Sequence, residues 1–117
     1  MTAPNIVNVT TITGKTAVLA VTTTATAIVT NSPSSGKVLK INALLIANVD
    51  GTNNGEISVD LFRGSTAYHI AKTVIVPADA TLDVLNKSIY LEEGDVLRLT
   101  ANADLYLEAV CSYEEIS

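Results

Sequence analysis

The sequence predicts an all-β fold: a single-domain antiparallel β-sandwich, jelly-roll-like, spanning residues 1–117. Three observations carry that expectation. Of its residues 48% are hydrophobic but only 4% are aromatic, so the apolar content is mainly Val, Ile, Leu and Ala, with abundant Thr beside them. β-branched side chains are stiff at χ1 and fit a pleated surface better than a helix. Apolar and polar residues alternate with period two between turn clusters, and no stretch shows a helical period. About nine or ten short strands recur at spacings of roughly 8–12 residues, the pattern of a sandwich rather than of βαβ units.

Taken in order, Asn5 to Thr13 reads as a first strand, with residues 1–13 as a possible extended N-terminal arm; residues 1–10 read equally as a flexible tail. Gly14-Lys15 is expected to turn the chain into Thr16 to Thr22, and Thr24 to Thr30 follows. This N-terminal third carries Lys15 as its one charge up to Ser35. Its small side chains on both faces suit a sheet covered on two sides or one covered in an assembly. Asn31-Ser32-Pro33-Ser34-Ser35-Gly36 is a surface loop. Lys37 to Val49 is apolar on both faces near its end, which predicts a central strand. Asp50 to Gly55 contains an Asp-Gly and an Asn-Gly pair and predicts a hairpin. It leads into Glu56 to Arg63, with Ile57, Val59 and Leu61 on one face.

Gly64-Ser65 turns the chain into Thr66 to Val76, where Tyr68, Ile70, Val74 and Val76 share a parity. Pro77-Ala78-Asp79 closes that strand by removing a ladder donor. Thr81 to Leu85 is short. Ser88 to Ile116 reads as a three-strand meander through the corners Glu92-Glu93-Gly94-Asp95 and Ala101-Asn102-Ala103-Asp104. Its last run places Leu105, Leu107, Ala109 and Cys111 on one face.

Charge and cysteine content narrow the function. Twelve acidic against seven basic residues give a net charge of −5. That is the wrong sign for neutralising phosphates, so nucleic acid and an anionic membrane surface are not expected partners. One cysteine forms no internal disulfide, and Cys111 is expected to be a small buried hydrophobe. Met1 to Asn5 has no basic n-region, and Ala17 to Val29 is too short to span a bilayer, so a soluble chain made in a cytoplasm is expected.

No residues are expected to be catalytic, cofactor-binding or metal-ligating. His69 is the one histidine, mid-strand, with no nucleophile elbow near any serine. One His and one Cys do not complete a zinc site. Asp50 to Glu56 offers oxygen side chains, but glycine stands at the second position and no Glu at the twelfth, so the EF-hand spacing fails. Asp79, Asp83, Glu92, Glu93 and Asp95 suggest a glycosidase carboxylate pair. Without tryptophan and with four scattered tyrosines they are expected to be solvated turn residues. A carbohydrate-binding module would need an exposed aromatic platform, and a hydrolase an acid–base pair around His69.

Several runs carry a resemblance: Lys40 to Thr52, Glu56-Ile57-Ser58-Val59-Asp60-Leu61, Ser65 to Lys72, Val76-Pro77-Ala78-Asp79-Ala80-Thr81-Leu82 and Ser88 to Asp95. Over residues 37–116 the chain resembles small virion structural proteins of tailed phages, especially those infecting marine bacteria and cyanobacteria. The resemblance implies a non-enzymatic capsid decoration (cement) protein, without cofactor, made in the host cytoplasm and located in the virion. It would sit on the shell as a homotrimer at three-fold positions against the major capsid protein. The alternative it leaves is a neck, tail or baseplate component adapting fibres to the particle.

Overall fold

A computed structural model describes residues 10–117. Its strands are β1 (Ile12–Ala20), β2 (Thr26–Thr30), β3 (Val38–Asn48), β4 (Gly55–Arg63), β5 (Thr66–Val76), β6 (Thr81–Asp83), β7 (Ile89–Leu91), β8 (Val96–Ala101) and β9 (Leu107–Ile116). Among the described residues there is no helix. The five-stranded sheet has the order β1-β9-β3-β6, with β7 also on β3, and the four-stranded sheet has the order β2-β8-β4-β5. All pairings are antiparallel. The chain crosses between sheets at most connections, as in a double-sheet jelly roll. The all-β sandwich expected from the alternation is the observed fold.

The inner faces follow the period-two pattern. Ile57, Val59, Leu97, Leu99, Leu107, Ala109 and Cys111 are buried, at alternate positions of their strands. In β3 the inward parity changes partway: Leu39 and Ile41 point in, then Leu44 and Ile46. A bulge between Ile41 and Ala43, where the register with β9 shifts, inserts the residue that flips it. That explains why this strand looks apolar on both faces, and β3 is indeed central, held by β9 on one side and by β6 and β7 on the other.

Several local expectations are corrected. Gly14 and Lys15 do not turn; they lie within β1, opposite Glu114 and Tyr113 of β9. Asp50 to Gly55 reverses the chain but makes no hairpin, because β3 and β4 belong to different sheets. Ser88 to Ile116 is not a meander either: β7 and β9 lie in one sheet and β8 in the other. On β5, Tyr68, Ile70 and Val74 are exposed and only Val76 is buried. Register shifts against β4 between Ile57 and Val59, and again before Asp60, disturb the alternation there. Leu105 stands outside β9, largely exposed and in the left-handed region at φ 70°. The expected strand Asn5 to Thr13 and the arm over residues 1–13 fall mostly outside the described residues; Ile12 and Thr13 open β1. Gly64 and Ser65 form the expected tight turn, both at positive φ.

Two buried asparagines tie the loops to this frame. The Asn31 side-chain amide donates to the carbonyls of Lys37 (2.9 Å) and Leu91 (3.0 Å), and its oxygen accepts from the Ser35 hydroxyl. The Asn48 amide donates to the carbonyls of Asn53 and Val76, both at 2.9 Å, and its oxygen accepts the Asp50 N–H. Each amide bonds two backbone carbonyls from separate segments and has its own oxygen satisfied, as buried polar groups require.

Gly55 opens β4 against Leu107: a Cβ there would stand 2.7 Å from Leu107 Cδ2 and 3.0 Å from its Cγ. Leu107 is itself buried and has little room to retreat. Gly55→Ala is therefore expected to destabilise the fold by about 1–2 kcal/mol through overpacking. Urea denaturation checks this, and an unchanged midpoint would mean that Leu107 moves freely.

Candidate interaction surface

Residues with chemical potential are dispersed. His69 is exposed on β5, opposite Asp60 of β4. Cys111 is fully buried in the core, and burial pushes its thiol up to about 11. A thiol so placed is a packed hydrophobe rather than a nucleophile. The Asp50 carboxylate accepts the Asn53 N–H at 2.7 Å, so it serves its own turn. Among the described residues no three His, Cys, Asp or Glu side chains gather as metal ligands.

One acid departs from the expected solvated state. Asp95 is buried just before β8, where Arg63 at the end of β4 donates from Nε to its Oδ1 at 2.7 Å and from Nη2 to its Oδ2 at 2.6 Å. The Glu92 N–H donates to Asp95 Oδ2 at 2.8 Å, and exposed Glu92 accepts from the same guanidinium at 2.9 Å. Burial alone would raise the Asp95 carboxyl. The Arg63 bonds, the Glu92 N–H and the Arg63 charge together outweigh it and hold the group below its ordinary value. Glu93 accepts the Gly36 N–H at 2.9 Å, so the Glu92-Glu93-Gly94-Asp95 corner is a turn with a structural ion pair.

Two more clusters escaped the linear reading. Arg98 donates to buried Asp60 at 2.9 Å and lies 4.0 Å above the Phe62 ring. Glu115 accepts from Lys37 and, at 2.9 Å, pairs with Lys15. The Lys37 and Lys15 hydrogen bonds hold the Glu115 carboxyl below its ordinary value. These clusters join strands distant in sequence, so neighbouring residues carry no signal for them. Each uses its charges internally and leaves no group poised over an open cleft.

The feature that remains is a surface. Val18 of β1 stands opposite Val110 of β9, which stands opposite Leu45 of β3. All three face outward; Val18 is 73% exposed, Val110 41% and Leu45 39%. Thr16, Ser112 and Ala43 form the cross-strand row on one side of this stripe. Ala20, Glu108 and Ala47 form the row on the other. A shallow depression of about 310 Å³ lies along it, lined by Val18, Leu19, Ala20, Glu108, Ala109 and Val110. The stripe ends at β1, an outer strand of its sheet.

Comparison with known proteins gives likeness of fold. Neither a protein-family model nor a curated protein matches the chain. A chain from Bacillus endospore appendages, described as disulfide-linked pili, superposes with TM-score 0.52 at 15% identity, covering 90% of this chain and 87% of that one. A pentameric capsid protein from metagenomic phage sequences is similar at TM-score 0.44 and 20% identity, over 85% of this chain and 59% of that one. The first of these supports the sandwich architecture.

Proposed function

We propose that this chain is a non-enzymatic structural protein of a phage particle, a decoration protein that stabilises the capsid shell through its surface. The observation that carries this is the outward stripe Val18–Val110–Leu45, exposed on a rigid sandwich and bordered by an outer strand. Apolar area of this kind gains free energy when another protein covers it. Repeated at every lattice position, such burial reinforces a shell without any chemistry. The resemblance over residues 37–116 supplies the particle. Its implied trimer is not needed, since cement contacts act at any copy number.

Contacts made by the chain would be non-covalent. A disulfide-linked series needs two reactive cysteines per subunit, whereas this sequence has Cys111 alone, and it is buried. Cryo-microscopy of the purified particle tests the proposal: density for the sandwich is expected on the outer capsid surface, repeated with the lattice. Density confined to the neck, tail or baseplate would assign the alternative role, and absence from the particle would remove both.

A further inference from the structure

We infer that two copies of this chain join edge to edge through β1, antiparallel about a two-fold axis at Val18, extending the five-stranded sheet into one continuous sheet across the pair. This rests on the assembly part of the proposed function but not on the capsid.

The inference comes from how the sheet edges differ. Exposed edges invite pairing, and proteins blunt them with bulges, charges or brevity. Among the described residues, β5 is a long edge but its register with β4 is twice broken, and Thr73 sits at φ 46°. β2 has five residues and a bulge between Ala27 and Val29. β6 and β7 have three residues each. β1 has nine residues in unbroken register with β9 from Ile12 to Ala20. Its single charge, Lys15, is engaged by Glu115. No described strand pairs with its other side. Among the described strands, the one regular edge that a second copy can offer to β1 is its own β1. A surface that meets itself gives a closed two-fold pair rather than an open series.

Charge and the apolar stripe choose the register. Copies carrying −5 each repel, and β1 is where they meet with no acidic residue on the joining strands. Centring the pair on Val18 puts the two Lys15 residues about 20 Å apart at six residues' spacing, beyond the screening length of about 8 Å. It also joins the two stripes into Leu45–Val110–Val18 followed by the same three residues in reverse. Because β1 ends at Ala20, this register pairs residues 16–20 of one copy with residues 20–16 of the other. The edge backbone groups of that segment are then satisfied, and the most exposed valine is covered on both copies.

Sedimentation velocity on the isolated protein is expected to show a dimer. Val18→Asp places like charges directly opposite one another. It is expected to weaken the dimer about tenfold or more while leaving the circular dichroism unchanged, since Val18 is outside the core. Val18→Cys provides a second test. Opposed residues in an antiparallel pair have Cα atoms about 4.5–5.5 Å apart, within disulfide reach. Mild oxidation should therefore yield a covalent dimer. Thr16→Cys would place its two thiols about 14 Å apart along the strands and should not cross-link. A monomeric parent protein, a trimer indifferent to Val18→Asp, or cross-linking by Thr16→Cys but not Val18→Cys would overturn the inference. A confirmed dimer absent from the capsid surface would leave it standing while removing the decoration role.

Discussion

Leu44→Ala is expected to cost about 3–4 kcal/mol of folding free energy, whereas Leu45→Ala, one residue on, should cost less than about 1 kcal/mol. Leu44 is fully buried between the sheets, and Leu45 stands on the outward stripe. Truncating a buried leucine loses both its transfer free energy and the contacts around the cavity it leaves. For a domain whose stability is typically about 5–15 kcal/mol, the first loss is a large fraction of the total. Urea titrations at unchanged m-value measure both variants. Similar losses at the two positions would mean that the bulge between Ile41 and Ala43 does not set the parity of the rest of β3.

The second large effect belongs to Asp95. Asp95→Ala is expected to destabilise by about 2–3 kcal/mol, since removing one member of a buried, hydrogen-bonded pair strands the groups it served. The value sits below the range for fully buried pairs because Arg63 remains about half exposed and can rehydrate. The native Asp95 carboxyl lies below its ordinary value, so the group binds its proton less readily when folded than when unfolded. Its contribution is complete above the unfolded value of about 3.9. It is lost as pH falls through the lower folded value. Glu115 shifts in the same direction and for the same kind of reason. Stability should therefore fall steeply below about pH 4, and the acid limb should be shallower in Asp95→Ala. An identical acid limb in the variant would show that Asp95 is not the group being protonated.

Much of the fold is legible in the residues, and what is hidden has a common cause. Period-two patterning located β3, β4 and β8, the Gly64-Ser65 turn and the buried Cys111, because side-chain parity and turn chemistry are local properties. Neither says which sheet a strand joins. Asp50 to Gly55 has every mark of a hairpin, yet it carries the chain from one sheet to the other. The corners on either side of β8 do the same. Gly14 looked like a turn residue, but a glycine at an exposed strand position costs only modest stability. The β9 register holds it in place. Asp95 was hidden for a related reason: its partner Arg63 is distant in sequence and meets it only once the sheets are packed. The outward stripe was half visible, since the charge-poor N-terminal third suggested a covered surface. Val110 and Leu45 became part of it only through the pairing of β1, β9 and β3.

The position of β9 has a consequence for how the protein comes into being. Residues 107–116 are the last of the described strands to be made, yet they lie between β1 and β3, bonded to both. Until those residues leave the ribosome, β1 has no neighbour among the described strands of its own sheet, and the hydrophobic inner face of β3 lacks one flank. Closure of that sheet is therefore a late event joining the first and last of the described strands, of the non-local kind that slows folding. The β4–β5 hairpin, which needs only a two-residue turn, can form long before it. A nascent chain halted before residue 107 would hold that hairpin while leaving β1 and β3 without the strand that joins them.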